Sequence, residues 1–499
     1  MTAPPQARAP EGPSDPTNRG SSLAQLAVRG GSYLIGREAI GMVIRLVGVV
    51  VVVRVIGPAP YGLYSGATAF VVLVASVAQL GLEVYLIRIP GPIEARHYNQ
   101  AFTLLLVASI LVTAAAEGLT YAFAGLLRPV GVLLPLRVLL LSIPINVLWA
   151  PSQAAIERQF GYRLMGLIEL GGDVALYGTA IPLAFLGAKE WALVVGYFAW
   201  QVWLFAASLS TSWLRLRWDW SMAAVRDMTR HGLTFSSALW VDRLGELVNP
   251  LVVGTFLGAA GVGYVAFAQR LVDTLAFAKR GAYRLGLVAM ARVGNDETTR
   301  LRYSLEEGSL LQLLGLAIPF ACFGIVARWV VPLVFGHQWA PAIPLYSLLA
   351  LFTVLGTAAF VQTTFLYSRG RNLSVMVVSI VHSVILAGAS VVLVRHLGLK
   401  GYGIAWLATL VSIVVSDRVV RGMFSFSYSK VIRWSLVLGP AILFPILPMP
   451  LALFLLIPLL FLILPQMSSE LTRIYRLVRS SISRPATGAT DAPMEGPRP

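Results

Sequence analysis

The sequence predicts an all-α polytopic membrane protein of about 14 transmembrane helices. Three observations predict it: the composition, the spacing of apolar runs and the placement of charge. Hydrophobic residues fill 57% of 499 positions and charged residues only 12%, where a soluble domain carries about a quarter charged residues. Mean hydropathy is +0.75. So few charges cannot cover a water-facing surface, and lipid must be the solvent for most of the chain.

A spanning helix needs ~20 apolar residues. That length gives candidate spans at 33–56, 63–87, 101–125, 132–153, 164–186 and 190–211. A second set lies at 233–257, 262–287, 306–327, 342–366, 374–395 and 402–422. A short hairpin, 434–447 and 450–465, is broken by Pro448 and Pro450. The domain organisation expected is a disordered tail over 1–29, a six-helix lobe over 30–215 and a linker over 216–232. A second six-helix lobe over 233–425, the hairpin over 430–466 and a tail over 467–499 complete it. The first 22 residues are rich in Pro, Gly, Ser and Thr and lack a signal-peptide core, so the first helix is expected to act as an uncleaved anchor.

The net charge is +16 and the pI about 10.3. In a soluble chain this would suggest nucleic acid. Here the cations sit on alternate loops: Arg88 and Arg96; Arg158 and Arg163; Arg215, Arg217, Arg226 and Arg230; Arg369 and Arg371. The intervening loops carry scattered charges such as Arg128, Lys189, Arg328 and Lys400. That asymmetry is the positive-inside pattern, and it predicts that both termini are cytoplasmic and excludes a nucleic-acid partner. The lone cysteine, Cys322, allows no internal disulfide and is expected to be a buried small hydrophobe.

The chain repeats itself. Gly57-Pro-Ala-Pro-Tyr-Gly-Leu-Tyr64 matches Gly258-Ala-Ala-Gly-Val-Gly-Tyr264, and Leu186-Gly-Ala-Lys-Glu-Trp191 matches Leu397-Gly-Leu-Lys-Gly-Tyr402. Gln153 pairs with Gln362 at a similar spacing. Three matches in register predict two homologous halves of the same orientation, related by a pseudo-two-fold axis along the membrane normal.

Charge inside the spans needs a reason, because each such group costs roughly 2.5–3.5 kcal/mol at the bilayer centre. The first span carries Arg37, Glu38 and Arg45; its repeat counterpart carries Asp242, Arg243, Glu246 and Asn249; the eighth adds Arg270 and Asp273. Together these nine residues predict a polar substrate cavity between the lobes. Its arginines suit a diphosphate, and its carboxylates suit coupling to H+ or Na+. Interhelical salt bridging, Glu38 with Arg45 or Arg270 with Asp273, is the competing reading. In the fifth span Glu169 and Asp173 stand one turn apart, and His382 sits alone in the eleventh, where a packed histidine is expected. No nucleophile elbow, phosphate loop or zinc motif is present, so neither catalysis nor a cofactor is expected.

Arg54-Val-Ile-Gly-Pro-Ala-Pro-Tyr-Gly-Leu-Tyr64, Gln79-Leu-Gly-Leu-Glu-Val-Tyr85, Ala155-Ile-Glu-Arg-Gln-Phe160 and Gly254-Thr-Phe-Leu-Gly258 resemble the Wzx-type polysaccharide flippases. These belong to the multidrug/oligosaccharidyl-lipid/polysaccharide exporter superfamily. The resemblance spans about residues 30 to 430. It implies two pseudo-symmetric, MATE-like six-helix lobes around a central cavity, in a bacterial inner membrane. It also implies alternating access, with a polyprenyl-diphosphate-linked oligosaccharide as cargo and membrane lipids and polysaccharide polymerase machinery as partners. Where relatives often carry an acidic residue before the Gly254 motif, this chain has Asn249-Pro250, so Asp242 or Glu246 would take its place. The Phe-Pro pair often found before the inward loop of the eighth span is absent around Leu287 to Arg292. A cation-coupled drug antiporter of the same fold is the first alternative, and a membrane glycan polymerase or ligase the second.

Overall fold

A computed structural model describes residues 41–89, 94–127, 131–159, 161–212, 214–276, 298–368, 371–421, 427–465 and 467–472. Ile44–Leu464 form one compact unit; the two chain ends, Met1–Val43 with Pro465–Pro499, group separately. Arg37, Glu38, the loop around Arg292 and both predicted tails up to residue 29 and from residue 473 lie outside the described residues.

The protein is all-α, with no strand among the described residues. Helix α1 covers 41–56, followed by α2 (Pro58–Ala78), α3 (Leu82–Arg88), α4 (Ala95–Ala122), the broken helix α5 (Leu133–Arg158), α6 (Tyr162–Phe185) and α7 (Glu190–Thr211). Then come α8 (Met222–Glu246), α9 (Gly254–Leu275), α10 (Thr298–Phe335), α11 (Ile343–Leu355), α12 (Thr357–Ser368), α13 (Asn372–Ala408), α14 (Ser412–Arg421) and α15 (Ser429–Ile442). Ten of the described helical segments are long and apolar enough to cross a membrane. The last apolar stretch, Leu451–Ile463, is shorter than a span.

The four glycines of the repeat are where the structure makes its turns. Gly57, Gly187, Gly258 and Gly398 all have positive φ, at 80°, 81°, 68° and 58°. A side chain would oppose that left-handed backbone, and glycine does not. Gly258 and Gly398 each sit inside what is otherwise one helical run, so α9 and α13 each consist of two arms joined by a one-residue turn.

Two boundaries differ from the sequence reading. The span expected over 63–87 stops at Ala78, and a turn with Leu80 and Gly81 at positive φ redirects the chain into the separate helix α3. The helix expected from residue 233 starts at Met222, where Ser221 caps it by accepting from the Ala224 amide at 3.5 Å. The linker is therefore shorter than 216–232. The first turns of α8 are polar, so hydropathy alone did not register them. Cys322, expected buried, is exposed on α10 within an apolar span. Trp329 is exposed, while Trp191, Trp200 and Tyr264 pack against the core.

Helix α1 joins the two halves. Val52 packs with Tyr177, Ala180 and Ala184 of α6, whereas its neighbour Val53 packs with Phe267 of α9 and with Val331, Phe335 and Trp339. Successive helical residues point about 100° apart, so one helix serves two apolar clusters from adjacent positions.

Candidate functional site

The site is built where α1, α2, α6 and α9 approach one another. Arg45 of α1 donates to Asp173 of α6 at 2.8 Å, with their side chains 34% and 13% exposed. One turn beyond Asp173, the Tyr177 ring lies flat on the α1 backbone. It fits because residue 48 is glycine: a Cβ there would stand 2.2 Å from the ring. Arg45, Asp173, Tyr61 and Arg270 all act electrostatically on the Tyr177 hydroxyl. Arg270 also acts on Tyr61. Arg270 is exposed on α9 and makes no ion pair among the described residues. Among the described residues the cluster thus holds two guanidinium groups, one carboxylate and two phenols, drawn from both halves of the chain. Its net positive charge suits an anion, and its phenols can donate to one.

Of the nine residues predicted for the cavity, this cluster gathers Arg45 and Arg270. It adds Asp173, Tyr61 and Tyr177, which the sequence reading left off the list. Arg45 pairs with Asp173, 128 positions away, because α1 packs on α6; Glu38, the partner of the competing reading, lies outside the described residues. Asp273, one turn from Arg270, engages another group and leaves Arg270 unpaired.

The α8 residues form a second group. Asp242 lies within electrostatic reach of His382 on α13. That histidine is packed, as expected, against Phe352 and Trp406 at ring distances of 5.9 and 5.4 Å. Arg243 donates to Glu246 at 2.7 Å, and Glu246 acts on the Tyr402 hydroxyl. Asn249 lies on the short π turn between α8 and α9. It is buried, and its amide faces the Val262 carbonyl at 3.5 Å. Pro250 next to it lacks an amide hydrogen, and the helix widens to a π turn over Asn249–Val253.

Contacts between the halves frame the site at both ends. At the Gly57 end, α2 and α9 touch backbone to backbone: a Cβ at Gly62 would meet the Ala259 carbonyl at 1.8 Å, and one at Gly263 the Pro58 carbonyl at 2.0 Å. Arg54 donates to the Leu333 and Val334 carbonyls at 2.8 and 2.9 Å, and the Trp339 indole donates to the Val53 carbonyl at 3.2 Å. At the other end of α2, a Cβ at Gly232 would meet the Leu80 carbonyl at 1.9 Å. There Tyr85 donates to Asp227 at 2.8 Å, and Trp240 to the Ser76 carbonyl at 3.0 Å. Burial and the bond to Asp227 push the Tyr85 hydroxyl up to about 12, so it remains a donor at neutral pH. Beside it Gln153 donates to Glu83 at 3.2 Å and to Glu157 at 2.9 Å. Burial, then the Glu157 charge, push the Glu83 carboxyl up, and the Gln153 amide only partly opposes them.

The chain's relatives agree with the fold. Residues 51–344 match the model of a family described as polysaccharide biosynthesis protein. The teichuronic acid biosynthesis protein TuaB of Bacillus subtilis (strain 168) is 22% identical over 243 residues, 47% of this chain and 49% of that one. The chain thus spans about half the length of the curated relative it matches. Among solved structures, the lipid II flippase MurJ in an inward closed conformation aligns with a TM-score of 0.65 at 13% identity. That alignment covers 91% of this chain and 99% of MurJ. An inward-facing multidrug resistance MATE family transporter of the MOP superfamily aligns with a TM-score of 0.58 at 17% identity, over 78% and 98%. The fold is therefore that of MurJ and of the MATE transporters, and the chain belongs to the polysaccharide biosynthesis protein family.

Proposed function

We propose that this protein flips a polyprenyl-diphosphate-linked oligosaccharide from the cytoplasmic to the periplasmic leaflet of a bacterial inner membrane, for surface polysaccharide synthesis. The observation that carries the reading is Arg270, an unpaired cation set against the Arg45–Asp173 pair from the other half of the chain. A diphosphate fits such a group because guanidinium binds its oxygens in pairs and Tyr61 and Tyr177 add neutral donors. The family and the flippase fold of MurJ support the same class of cargo. Alternate-loop arginines favour cytoplasmic termini, which puts the Gly57 end at the periplasm and the Tyr85 end at the cytoplasm.

Transport would proceed by rocking of the two halves. The sugar and diphosphate pass through the polar interior while the polyprenyl tail stays in lipid. Asp242 beside His382 is the candidate for coupling to H+ or Na+, and its position on α8 connects it to the Tyr85 end.

The test is to deplete the protein and measure which leaflet exposes the lipid-linked oligosaccharide. Cytoplasmic accumulation is expected, rescued by the wild-type chain and not by Arg270→Ala or Arg45→Ala. Normal periplasmic exposure on depletion would refute the reading and favour a drug antiporter. Accumulation in the outer leaflet would instead indicate a polymerase or ligase.

A further inference from the structure

The segment between α7 and α8 has no part in the site, yet it is held in one place. Residues 214–221 run as an extended strap across the start of α4. Leu214 and Leu216 pack into the core of the N-terminal half, and Arg215 and Arg217 between them face out, the alternation of an extended chain. The Arg217 amide donates to Asn99 and the Asp219 amide to Thr103, both at 3.0 Å. Arg96 holds the Asp219 carboxylate at 3.3 Å. Asn99 and Thr103 are one turn apart on α4, so between residues 217 and 219 the strap descends ~6 Å along a helix that crosses the membrane.

At that dip the chain exposes apolar surface. Trp218 is 64% exposed, Trp220 42% and Met222 68%, and the two indoles stack at 6.5 Å with planes 17° apart. Around them Arg215, Arg217 and Arg226 are exposed without an ion-pair partner among the described residues. The nearby acids are already engaged, Asp219 by Arg96 and Asp227 by Tyr85 and His231. Exposed indoles beside unneutralised guanidinium groups suit a bilayer interface, where the ring sits at headgroup depth and the cation meets lipid phosphate.

We propose that the strap is an interfacial anchor for anionic phospholipid of the cytoplasmic leaflet, with Trp218, Trp220 and Met222 inserted and Arg215, Arg217 and Arg226 binding the headgroups. The leaflet rests on the orientation argued under the proposed function. The anchor holds the joint between the two halves at constant depth while the halves move.

The chain's single cysteine gives the test. In a Cys322→Ser background, a nitroxide attached at Met222→Cys in the full-length protein reports depth. Vesicles of phosphatidylcholine alone are compared with vesicles that also contain phosphatidylglycerol. In the mixed vesicles the label is expected to collide more with oxygen than with a water-soluble nickel chelate. Arg215→Ala with Arg217→Ala should raise the phosphatidylglycerol needed to hold it there by roughly tenfold or more. Trp218→Ala with Trp220→Ala should return the label to water. A label in water in every vesicle overturns the proposal and leaves the face free to bind a soluble partner. A depth unaffected by lipid charge and by the arginine changes overturns it as well. Labelling of Met222→Cys in cells by a membrane-impermeant reagent tests orientation alone, and its result leaves the depth measurement standing.

Discussion

The two ends of α2 join the halves of the protein in different ways. At the Gly57 end the contact is main chain against main chain, reinforced by Arg54 on two carbonyls and by the fully buried Trp339. Tyr61, Tyr264 and Phe267 pack around that indole at 5.7, 6.0 and 4.4 Å. At the Tyr85 end Gly81 and Gly232 also allow close approach, but there the Trp240 bond is only part-buried and the Tyr85–Asp227 bond is exposed. His231 and Asp227 are each more than half exposed and pair at 3.1 Å. Water competes for the Tyr85 and His231 bonds and for those of the exposed Arg54, but not for the buried Trp339 bond or the backbone contact, so the second contact is the weaker. The lesson is that a joint of close-packed glycines is made permanent or releasable by the side chains around it.

The largest way to break this contrast is at the Gly57 end. Gly62→Leu or Gly263→Leu drives a side chain into backbone that has no rotamer to yield. Thermal unfolding should show a loss of about 3 kcal/mol, and flux should vanish. An unchanged melting temperature would disprove the close contact. Arg54→Ala comes next, with a loss of about 1.5 kcal/mol from two charge-assisted bonds that are exposed. Tyr85→Phe should cost only about 1 kcal/mol. Its main effect should be on conformation, with spin labels across the Tyr85 end moving apart while labels across the Gly57 end stay in place.

The smallest effect is a pH dependence at Glu83. A carboxyl whose proton affinity is raised by folding favours the native state at low pH, and that contribution is lost as pH rises and the group must ionise while buried. Glu83→Gln should therefore be more stable than the parent at pH 8 and equal to it near pH 4, by melting temperature. A constant difference across that range would place the Glu83 carboxyl in water.

The repeated features were legible because they are local. Gly57, Gly187, Gly258 and Gly398 could be picked out as turns, and all four adopt positive φ. Gln153 and Gln362, paired only by spacing, share a role: each donates through its amide nitrogen to a polar cluster, Glu83 with Glu157 in one half and Tyr428 with Asp417 in the other. The site was legible in kind and not in membership. Arg45 and Arg270 stood out because charge in an apolar span is costly, whereas Tyr61 and Tyr177 look like ordinary membrane aromatics. Asn249 belonged by pattern to the Asp242 and Glu246 stripe, but the π turn at Pro250 carries it into the packing against α9.

What the sequence determined by itself was the solvent, the helical class, the repeat and the turns, because each follows from composition or from a few adjacent residues. Only the tertiary structure decided that Arg45 answers Asp173, that Arg270 faces Tyr61 and Tyr177, and that the Trp218 strap dips along α4. Those facts depend on which helices become neighbours. Sequence spacing carries no record of a partner 128 positions away, since a helix fixes the direction of its side chains and leaves to packing the choice of what they meet.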